Sequence, residues 1–262
     1  MYRFLLSRQW VILTLIALAL VPTMIELGFW QFHRHERRVE QNELIARNLE
    51  AKPVPVTELT SPGHRVPRAD YWRTVTATGT YDPAGEVVVR RRTNADERVG
   101  FHVLTPLVLA DGRVVLVNRG WVEGATDPRA YPPVPPAPRG TVTVTGRLKA
   151  DETTRGSGIK DLAGLPPRQV MLINSEQRAG ALGKPVLGGY LELSEPRPAG
   201  GKPELVPAPD HGSIGAHMAY AIQWWLFTAG VPVGWVVLVR RELRDRRAAE
   251  ARNAPEPVPA NV

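Results

Sequence analysis

The sequence predicts an α+β membrane protein in which two transmembrane helices, one near each end of the chain, flank one β-rich extracytoplasmic domain of barrel or sandwich type. Three observations lead to this prediction. Two long apolar runs cover residues 10–30 and 218–239 of the 262-residue chain. The polar region between them contains β-branched runs separated by turn residues, and basic clusters flank both apolar runs. Apolar runs of this length are typical of membrane spans, and short alternating runs are typical of strands.

The first apolar run, residues 10–30, has the composition of a membrane-spanning helix. Trp10 and Trp30 stand at its ends, where tryptophans commonly lie in the head-group region. Glu26 lies inside the run, and a carboxylate near a helix centre costs about 2.5–3.5 kcal/mol on insertion. Each Leu, Ile, Val or Phe contributes about 0.3–0.6 kcal/mol in the opposite direction, and the run holds enough of them to outweigh one glutamate.

A cleaved signal peptide is the alternative for this segment, because Arg3 and Arg8 precede the apolar run. A cleavage site requires small residues shortly after the apolar core. Residues 24–30 are instead bulky, with the sequence Met-Ile-Glu-Leu-Gly-Phe-Trp. This favours an uncleaved anchor.

The second apolar run, residues 218–239, is also long enough to cross a bilayer. From Tyr220 to Val239 there are about 20 residues, which span roughly 30 Å as a helix. Gln223 and Pro232 are the residues that are unfavourable in a membrane span, and both are tolerated where neighbouring helices supply partners.

The distribution of charge predicts the orientation of the chain. The basic tail, residues 240–262, is expected to be cytoplasmic and disordered after about Ala248, and residues 1–9 are then cytoplasmic too. Basic residues 34, 37 and 38 lie on the opposite side of the first span, but a segment as long as 31–217 is translocated largely regardless of charge. We expect a multi-pass protein of the plasma membrane with its main domain outside.

The polar region is predicted to be mostly β. A helical stalk is expected over residues 34–50, and Asn174 with Gln177 is expected to cap a short helix ending near Leu182. Asp111-Gly112 predicts a hairpin with a type I′ turn, and Pro106 predicts an edge strand or a bulge. The expected strands are residues 74–81, 86–90, 101–109, 113–118, 141–149, 169–173 and 189–193.

The amino-acid composition excludes several kinds of site and argues against one class of partner. The chain has no cysteine, which excludes disulfides, thiolate metal sites and a cysteine nucleophile. Its net charge of +7 lies largely in the tail and beside the first span, where basic residues set topology and contact anionic lipids, so we expect no nucleic-acid partner.

The sequence also lacks common enzyme signatures. It has no G-x-S-x-G, H-E-x-x-H, P-loop or G-x-G-x-x-G motif, and we therefore expect no enzymatic activity. A membrane-tethered hydrolase requires a cluster of acid, base or nucleophile within residues 70–195, and no such cluster is evident. His33 and His35 lie on different sides of a helix and make a poor metal pair.

His217 is the candidate ligand. On a helix, it shares one stripe with Ala221, Trp224, Thr228 and Trp235, and Tyr220 lies beside that stripe. The small residues leave room for a flat group or for another helix. Neutral imidazole is the usual axial ligand of haem iron. The alternative is that His217 hydrogen-bonds water in the head-group region and that the tryptophans are interfacial anchors.

Four blocks in order resemble the surfeit locus protein 1 family of cytochrome c oxidase assembly factors, and they cover most of the chain from about residue 28 to 227. The blocks are Gly28-x-Trp30-Gln31-x-x-Arg34; Tyr71-x-Arg73-x-Val75-x-x-x-Gly79-x-Tyr81; Gly100 to Pro106 with Asp111 to Val122, which includes Asn118-Arg119-Gly120-Trp121; and His217-x-x-Tyr220-Ala221-x-Gln223-Trp224.

The resemblance implies a non-enzymatic factor that helps to build the haem a-containing subunit I of a haem-copper oxidase. The implied partners are cytochrome c oxidase subunit I and haem a synthase, and the implied cofactor is haem a. The resemblance marks His217 as the haem-iron ligand, with Tyr220 and Trp224 beside it. The remaining motif residues form a candidate partner surface: Gly28, Trp30, Gln31, Arg34, Asn118, Arg119, Gly120, Trp121 and Gln223.

Two points stay open at this stage. Asn118 to Trp121 is either a partner surface or a strand end with a turn glycine and a core tryptophan. Arg34, Arg37 or Arg119 is hypothesised to pair with the haem propionates.

The competing function is a structural or sensor module whose anchors only pack with partner helices and bind no haem.

Overall fold

The computed structural model describes residues 3–125, 127 and 129–252, so the last part of the predicted tail, residues 253–262, and the first two residues lie outside it. The chain forms two compact units. One unit combines the described residues of 1–40 and 212–262, and the other consists of the described residues of 41–211. Each is described by itself.

The described residues form four α-helices and eight strands. The helices are α1 (Arg8–Glu50), α2 (Thr154–Ser157), α3 (Ser175–Leu182) and α4 (His217–Arg252). The strands are β1 (Val54–Pro55), β2 (Thr74–Tyr81), β3 (Val87–Thr93), β4 (Val99–Leu109), β5 (Val114–Glu123), β6 (Thr141–Lys149), β7 (Gln169–Val170) and β8 (Tyr190–Glu195).

Two of these helices, α1 and α4, are long and apolar enough to cross a membrane, with a mean hydropathy of 2.2 and 1.6 over their most apolar 18 residues. Helix α1 is continuous through both the predicted span and the predicted stalk. Helix α4 continues to Arg252, so the expected disorder after Ala248 is wrong at least that far. The reason is local, because alanine, arginine and glutamate are strong helix formers and Arg246 pairs with Glu242 at 2.8 Å one turn earlier.

Helices α1 and α4 pack against each other in antiparallel directions. Near one end of the pair the indole Nε1 of Trp235 donates to the hydroxyl of Thr14 at 3.1 Å. Towards the other end Gly28 lies against Trp225 so closely that a Cβ at position 28 would stand 2.2 Å from the indole Nε1. Glycine is thus required at position 28 for this approach, because any side chain displaces the indole.

The unit of residues 41–211 is sheet-rich, and its strand pairings form a closed ring. Strand β2 pairs with β6, β6 with β8, β8 with β5, β5 with β4, and β4 again with β2. Strands β1, β3 and β7 extend this ring from β2 and β4. Most ring pairings are antiparallel, but β5 and β8 run parallel. The two apolar helices near the chain ends and the sheet between them agree with the predicted α+β class.

The two larger of the three apolar clusters in this unit form most of its core. The larger one is formed by side chains of the ring strands, including Val75, Leu107, Val117, Leu148 and Leu191, all buried. The second lies on the other face of β4 and β5, where α3 covers it. Helix α3 begins as predicted, because the side chain of Asn174 accepts the backbone N–H of Gln177 at 3.0 Å.

The β4–β5 hairpin forms as predicted, but with a different turn. Of the four connecting residues 110–113, all described, only Gly112 has a positive φ, of 82°. A type I′ turn requires positive φ at both central residues. Instead, the Gly112 N–H donates to the carbonyl of Leu109 at 3.0 Å, and the carboxylate of Asp111 accepts the N–H of Arg113. Positive φ within the turn is therefore confined to Gly112 and does not extend to Asp111.

The expectation that Pro106 marks an edge or a bulge is also wrong. Pro106 lies opposite Leu116 within the β4–β5 ladder, and the irregularity falls between Val103 and Leu104. On its other side β4 changes partner near Pro106, from β3 to β2. The Pro106 carbonyl accepts the N–H of Asp82 on that side, at 2.8 Å. Because N and O of one residue point the same way in an antiparallel strand, the missing N–H costs no bond to β5.

Candidate functional site

His217, the candidate ligand, is the first residue of α4, and its side chain is half-buried. Its ring Nδ1 lies 3.0 Å from the amide oxygen of Gln31 on α1. An amide oxygen only accepts hydrogen bonds, so this contact is a hydrogen bond when the proton of the ring is on Nδ1. The contact joins the first and last sequence blocks, which are 186 residues apart.

The short segment before α4 is held near α1 as well. The guanidinium Nε of Arg38 donates to the carbonyl of Ser213 at 3.2 Å. Gly215 follows with a φ of 67°, a backbone conformation that favours glycine. A Cβ at Gly215 would stand 3.6 Å from Nε2 of His217, so Gly215 lies beside that ring nitrogen without adding a side chain there.

The stripe predicted on α4 exists, but it faces α1. Ala221 is fully buried, and Trp224, Thr228 and Trp235 are half-buried on the same side of the helix. Of the two occupants that small residues on this stripe allow, the structure places another helix there. Tyr220, by contrast, is 49% exposed, and Gln223 is exposed.

Trp225 is the residue that the sequence reasoning missed. Its indole packs on Gly28 and makes an edge contact with the ring of Phe29, with centroids 5.8 Å apart. It also lies 6.1 Å from the ring of Phe32. The signal was present in Gly28, since a glycine inside an apolar helix commonly marks the close approach of a bulky neighbour. Trp30, in contrast, is 49% exposed, and the guanidinium of Arg34 lies over its ring at 5.5 Å.

The block Asn118 to Trp121 belongs to the other unit, where it lies buried in β5. Asn118 donates to Nδ1 of His102 at 3.1 Å and accepts the N–H of Gly120. Gly120 has a φ of 128°, and a Cβ there would stand 2.3 Å from the carbonyl oxygen of Glu204. The indole of Trp121 donates to the carbonyl of Arg92 at 3.0 Å. These contacts favour a structural role over a partner surface, and Trp121 is a core residue as that alternative expected. The expectation of a strand end with a turn glycine is wrong, because β5 continues to Glu123 and the block instead contains a bulge, with Gly120 paired to Val103 and Asn118 paired to Leu104.

Arg119 forms a buried ion pair. Its guanidinium lies 3.1 Å from the carboxylate of Glu86, and the two side chains are 5% and 9% exposed. It also donates to the carbonyls of Pro135 and Pro136. The same carboxylate accepts from the hydroxyls of Thr105 and Tyr131, at 2.8 and 3.2 Å. The structure does not favour the hypothesis that Arg119 pairs with a propionate, because its guanidinium is buried and already bound to Glu86 and two carbonyls.

Burial shifts the pKa values of three titratable groups near these blocks. Burial lowers the pKa of His102 to about 3, and the nearby charges of Arg92 and Lys149 act in the same direction. The ring is thus neutral at physiological pH. Burial raises the pKa of Tyr81 to about 12, although Arg119 opposes the shift, and burial with the charge of Glu86 raises that of Tyr131 to about 12. These values make a proton-transfer role near neutral pH unfavourable for all three groups.

The donor set at His217 suits one kind of metal contact. Within the described ranges, no three or more His, Asp or Glu side chains group closely enough to hold a bare metal ion. A single ring nitrogen, Nε2 of His217, with its second nitrogen bound to an amide oxygen, would suit a haem iron as a ligand.

Comparison with known proteins agrees with the four blocks. The model of the SURF1 family matches residues 18–229. Uncharacterized SURF1-like proteins of Mycobacterium tuberculosis and Mycobacterium bovis are each 34% identical over 271 aligned positions, covering 99% of this chain and 94% of the relative. A SURF1-like protein of Monosiga brevicollis is 31% identical over 249 positions, covering 86% of this chain and 87% of the relative. The match extends across both apolar helices and the sheet, and the chain belongs to the SURF1 family.

Proposed function

We propose that this protein is an assembly factor for an aa3-type haem-copper cytochrome c oxidase and assists haem a insertion into, or maturation of, subunit I. The SURF1 family is generally involved in cytochrome oxidase assembly. The observation that carries the proposal for this chain is the hydrogen bond between Gln31 and His217, because it unites two separate family blocks around one candidate iron ligand.

His217 is the residue that would hold the haem, through Nε2. When bound, the haem would supply an iron that a histidine nitrogen can ligate and two anionic propionates. Arg37 is exposed on α1 and is a candidate partner for a propionate. Tyr220 is exposed and Trp224 half-buried, three and seven residues after His217, so either ring is a candidate contact for the porphyrin face.

The membrane setting is part of the same proposal. Helices α1 and α4 cross the plasma membrane, both termini are cytoplasmic, and the sheet-rich unit lies outside. The antiparallel packing of α1 and α4 supports two crossings in opposite directions, and the arginines after residue 239 support a cytoplasmic C-terminus. His217 then lies at the outer end of its span, where subunit I and haem a synthase present or receive haem.

The protein acts without catalysis in this proposal. Four buried charged side chains of the sheet-rich unit form structural pairs, Arg119 with Glu86 and Arg147 with Glu192, at 3.1 and 3.0 Å. A structural or sensor module that binds no haem is the competing function, and it predicts a colourless purified protein.

The test is the absorption spectrum of the detergent-purified full-length protein from cells that make haem a. We expect a haem Soret band in the wild type and its loss, with the axial-histidine signal, in His217→Ala. His33→Ala is the matched control, because His33 is an exposed histidine at the same end of the helix pair. An unchanged haem content in His217→Ala, or a colourless wild type, would contradict the haem-binding part.

A gene deletion tests the assembly role separately. Cells without this protein are expected to contain less assembled aa3-type oxidase while their haem a synthase is still present. Normal oxidase levels with normal haem a content in the deletion strain would refute the assembly role.

A further inference from the structure

We infer that Gln31 is a positioning residue that holds His217 in the tautomer with the proton on Nδ1, so that Nε2 faces the ligand from the side of Gly215. This inference rests on the proposed role of His217 and adds which nitrogen binds, what orients it and from where the ligand approaches.

The direction of the hydrogen bond determines the tautomer. A neutral imidazole carries one proton, on either Nδ1 or Nε2. Nδ1 of His217 lies 3.0 Å from the amide oxygen of Gln31, which has no proton to give. The proton is therefore on Nδ1, and the lone pair of Nε2 is available. Metal-binding histidines generally donate their other N–H to an oxygen, which fixes the ring and raises the basicity of the ligand nitrogen.

The position of Gln31 is fixed by the packing of the two helices. Gly28 lies one turn before Gln31 and touches Trp225, which lies two turns after His217. Phe32, the next residue, also contacts Trp225, with ring centroids 6.1 Å apart. These contacts on both helices set the register in which the Gln31 amide meets the imidazole. The arrangement does not depend on a loop.

The other ring nitrogen, Nε2, lies beside Gly215. Gly215 is the residue whose added Cβ comes near Nε2, at 3.6 Å, and its φ of 67° is one that residues with a side chain rarely adopt. The glycine therefore serves two purposes. It allows the turn into α4, and it leaves the approach to Nε2 without a side chain.

The inference is tested first without haem. In the full-length apo protein in detergent, with ¹⁵N-labelled histidine, the His217 ring should show a protonated Nδ1 and an unprotonated Nε2. In Gln31→Ala the proton should redistribute towards Nε2, whereas Gln31→Glu, which also accepts from Nδ1, should keep the wild-type pattern. Gln9→Ala is the matched control, because Gln9 is an exposed glutamine on the same helix as Gln31, at the other end of its apolar run. A protonated Nε2 in the wild type would overturn the inference.

Titration with haemin then tests the consequence for binding. Gln31→Ala should weaken haemin binding by about 10- to 100-fold, the effect typical of removing such a partner, while Gln31→Glu should restore it. If Gln31→Ala binds like the wild type while His217→Ala loses haemin, the inference is wrong and the proposed function stands. If His217→Ala also binds like the wild type, the proposed function is wrong. The apo spectra show whether either variant has lost its fold.

Discussion

Replacing Arg119 with alanine should lower the free energy of unfolding of the sheet-rich unit far more than removing an exposed charge does. The guanidinium is 5% exposed and pairs with Glu86 at 3.1 Å. It also donates to two proline carbonyls, those of Pro135 and Pro136, at 3.0 and 3.1 Å. After Arg119→Ala, the Glu86 carboxylate keeps its hydroxyl partners and the half-exposed Arg168, but it loses its only buried cation among the described residues.

The size of the effect follows from this burial. Removing one partner of a buried ion pair costs about 3–5 kcal/mol, because the remaining charge stays out of water. An exposed ion pair contributes about 0–1 kcal/mol. Lys184→Ala is therefore the control, since Lys184 pairs with Asp82 at 2.9 Å in the same unit but its side chain is 41% exposed.

Urea denaturation of the full-length protein in detergent, followed by tryptophan fluorescence, measures the difference. With a slope of about 2 kcal/mol/M, a loss of about 4 kcal/mol lowers the urea midpoint by about 2 M. Lys184→Ala should shift the midpoint by less than about 0.5 M. The double variant Arg119→Met with Glu86→Gln should recover stability, because it removes both charges. Equal midpoints for Arg119→Ala and Lys184→Ala would refute the reasoning.

Two further predictions concern the helix pair and the buried histidine. Gly28→Ala should weaken the packing of α1 on α4, because its Cβ would stand 2.2 Å from Trp225. Gly234→Ala in α4 is the control, because its Cβ meets no atom within 4 Å and should leave the packing unchanged. Quenching of Trp225 fluorescence by a lipid-soluble quencher measures the exposure of the indole, and equal quenching in both variants would count against the packing. Because the pKa of His102 falls from 6.5 in the unfolded chain to about 3 in the fold, the unfolded state binds the extra proton first, so stability should fall as the pH drops below about 6.5, by up to about 1.4 kcal/mol per pH unit. His102→Gln should remove this dependence between pH 6 and 4.5, and the same slope in both proteins would contradict it.

Local patterns predicted much of the fold. The strands over residues 74–81 and 141–149 have the bounds that alternation predicted, and the cap at Asn174 is present. These features depend on neighbours a few residues apart, so the sequence contains their cause. The turn after Leu109 was predicted only in part, because glycine permits several turn types and the strands it joins select among them. The place of Pro106 depended on which strands border β4, and that information is not local.

The candidate site, like the fold, was predicted from the sequence only in part. The amino-acid sequence by itself determined the two apolar helices, the β-rich region between them, the family blocks and His217 as the candidate ligand, because hydrophobic length, alternation and motif spacing are properties of a linear chain. Only the tertiary structure decided that Gln31 meets His217, that Trp225 fills the space over Gly28, and that Arg119 is buried against Glu86. The physical reason is that each contact joins residues far apart in the chain, and its formation depends on helix register and strand pairing set by the packing of the whole molecule.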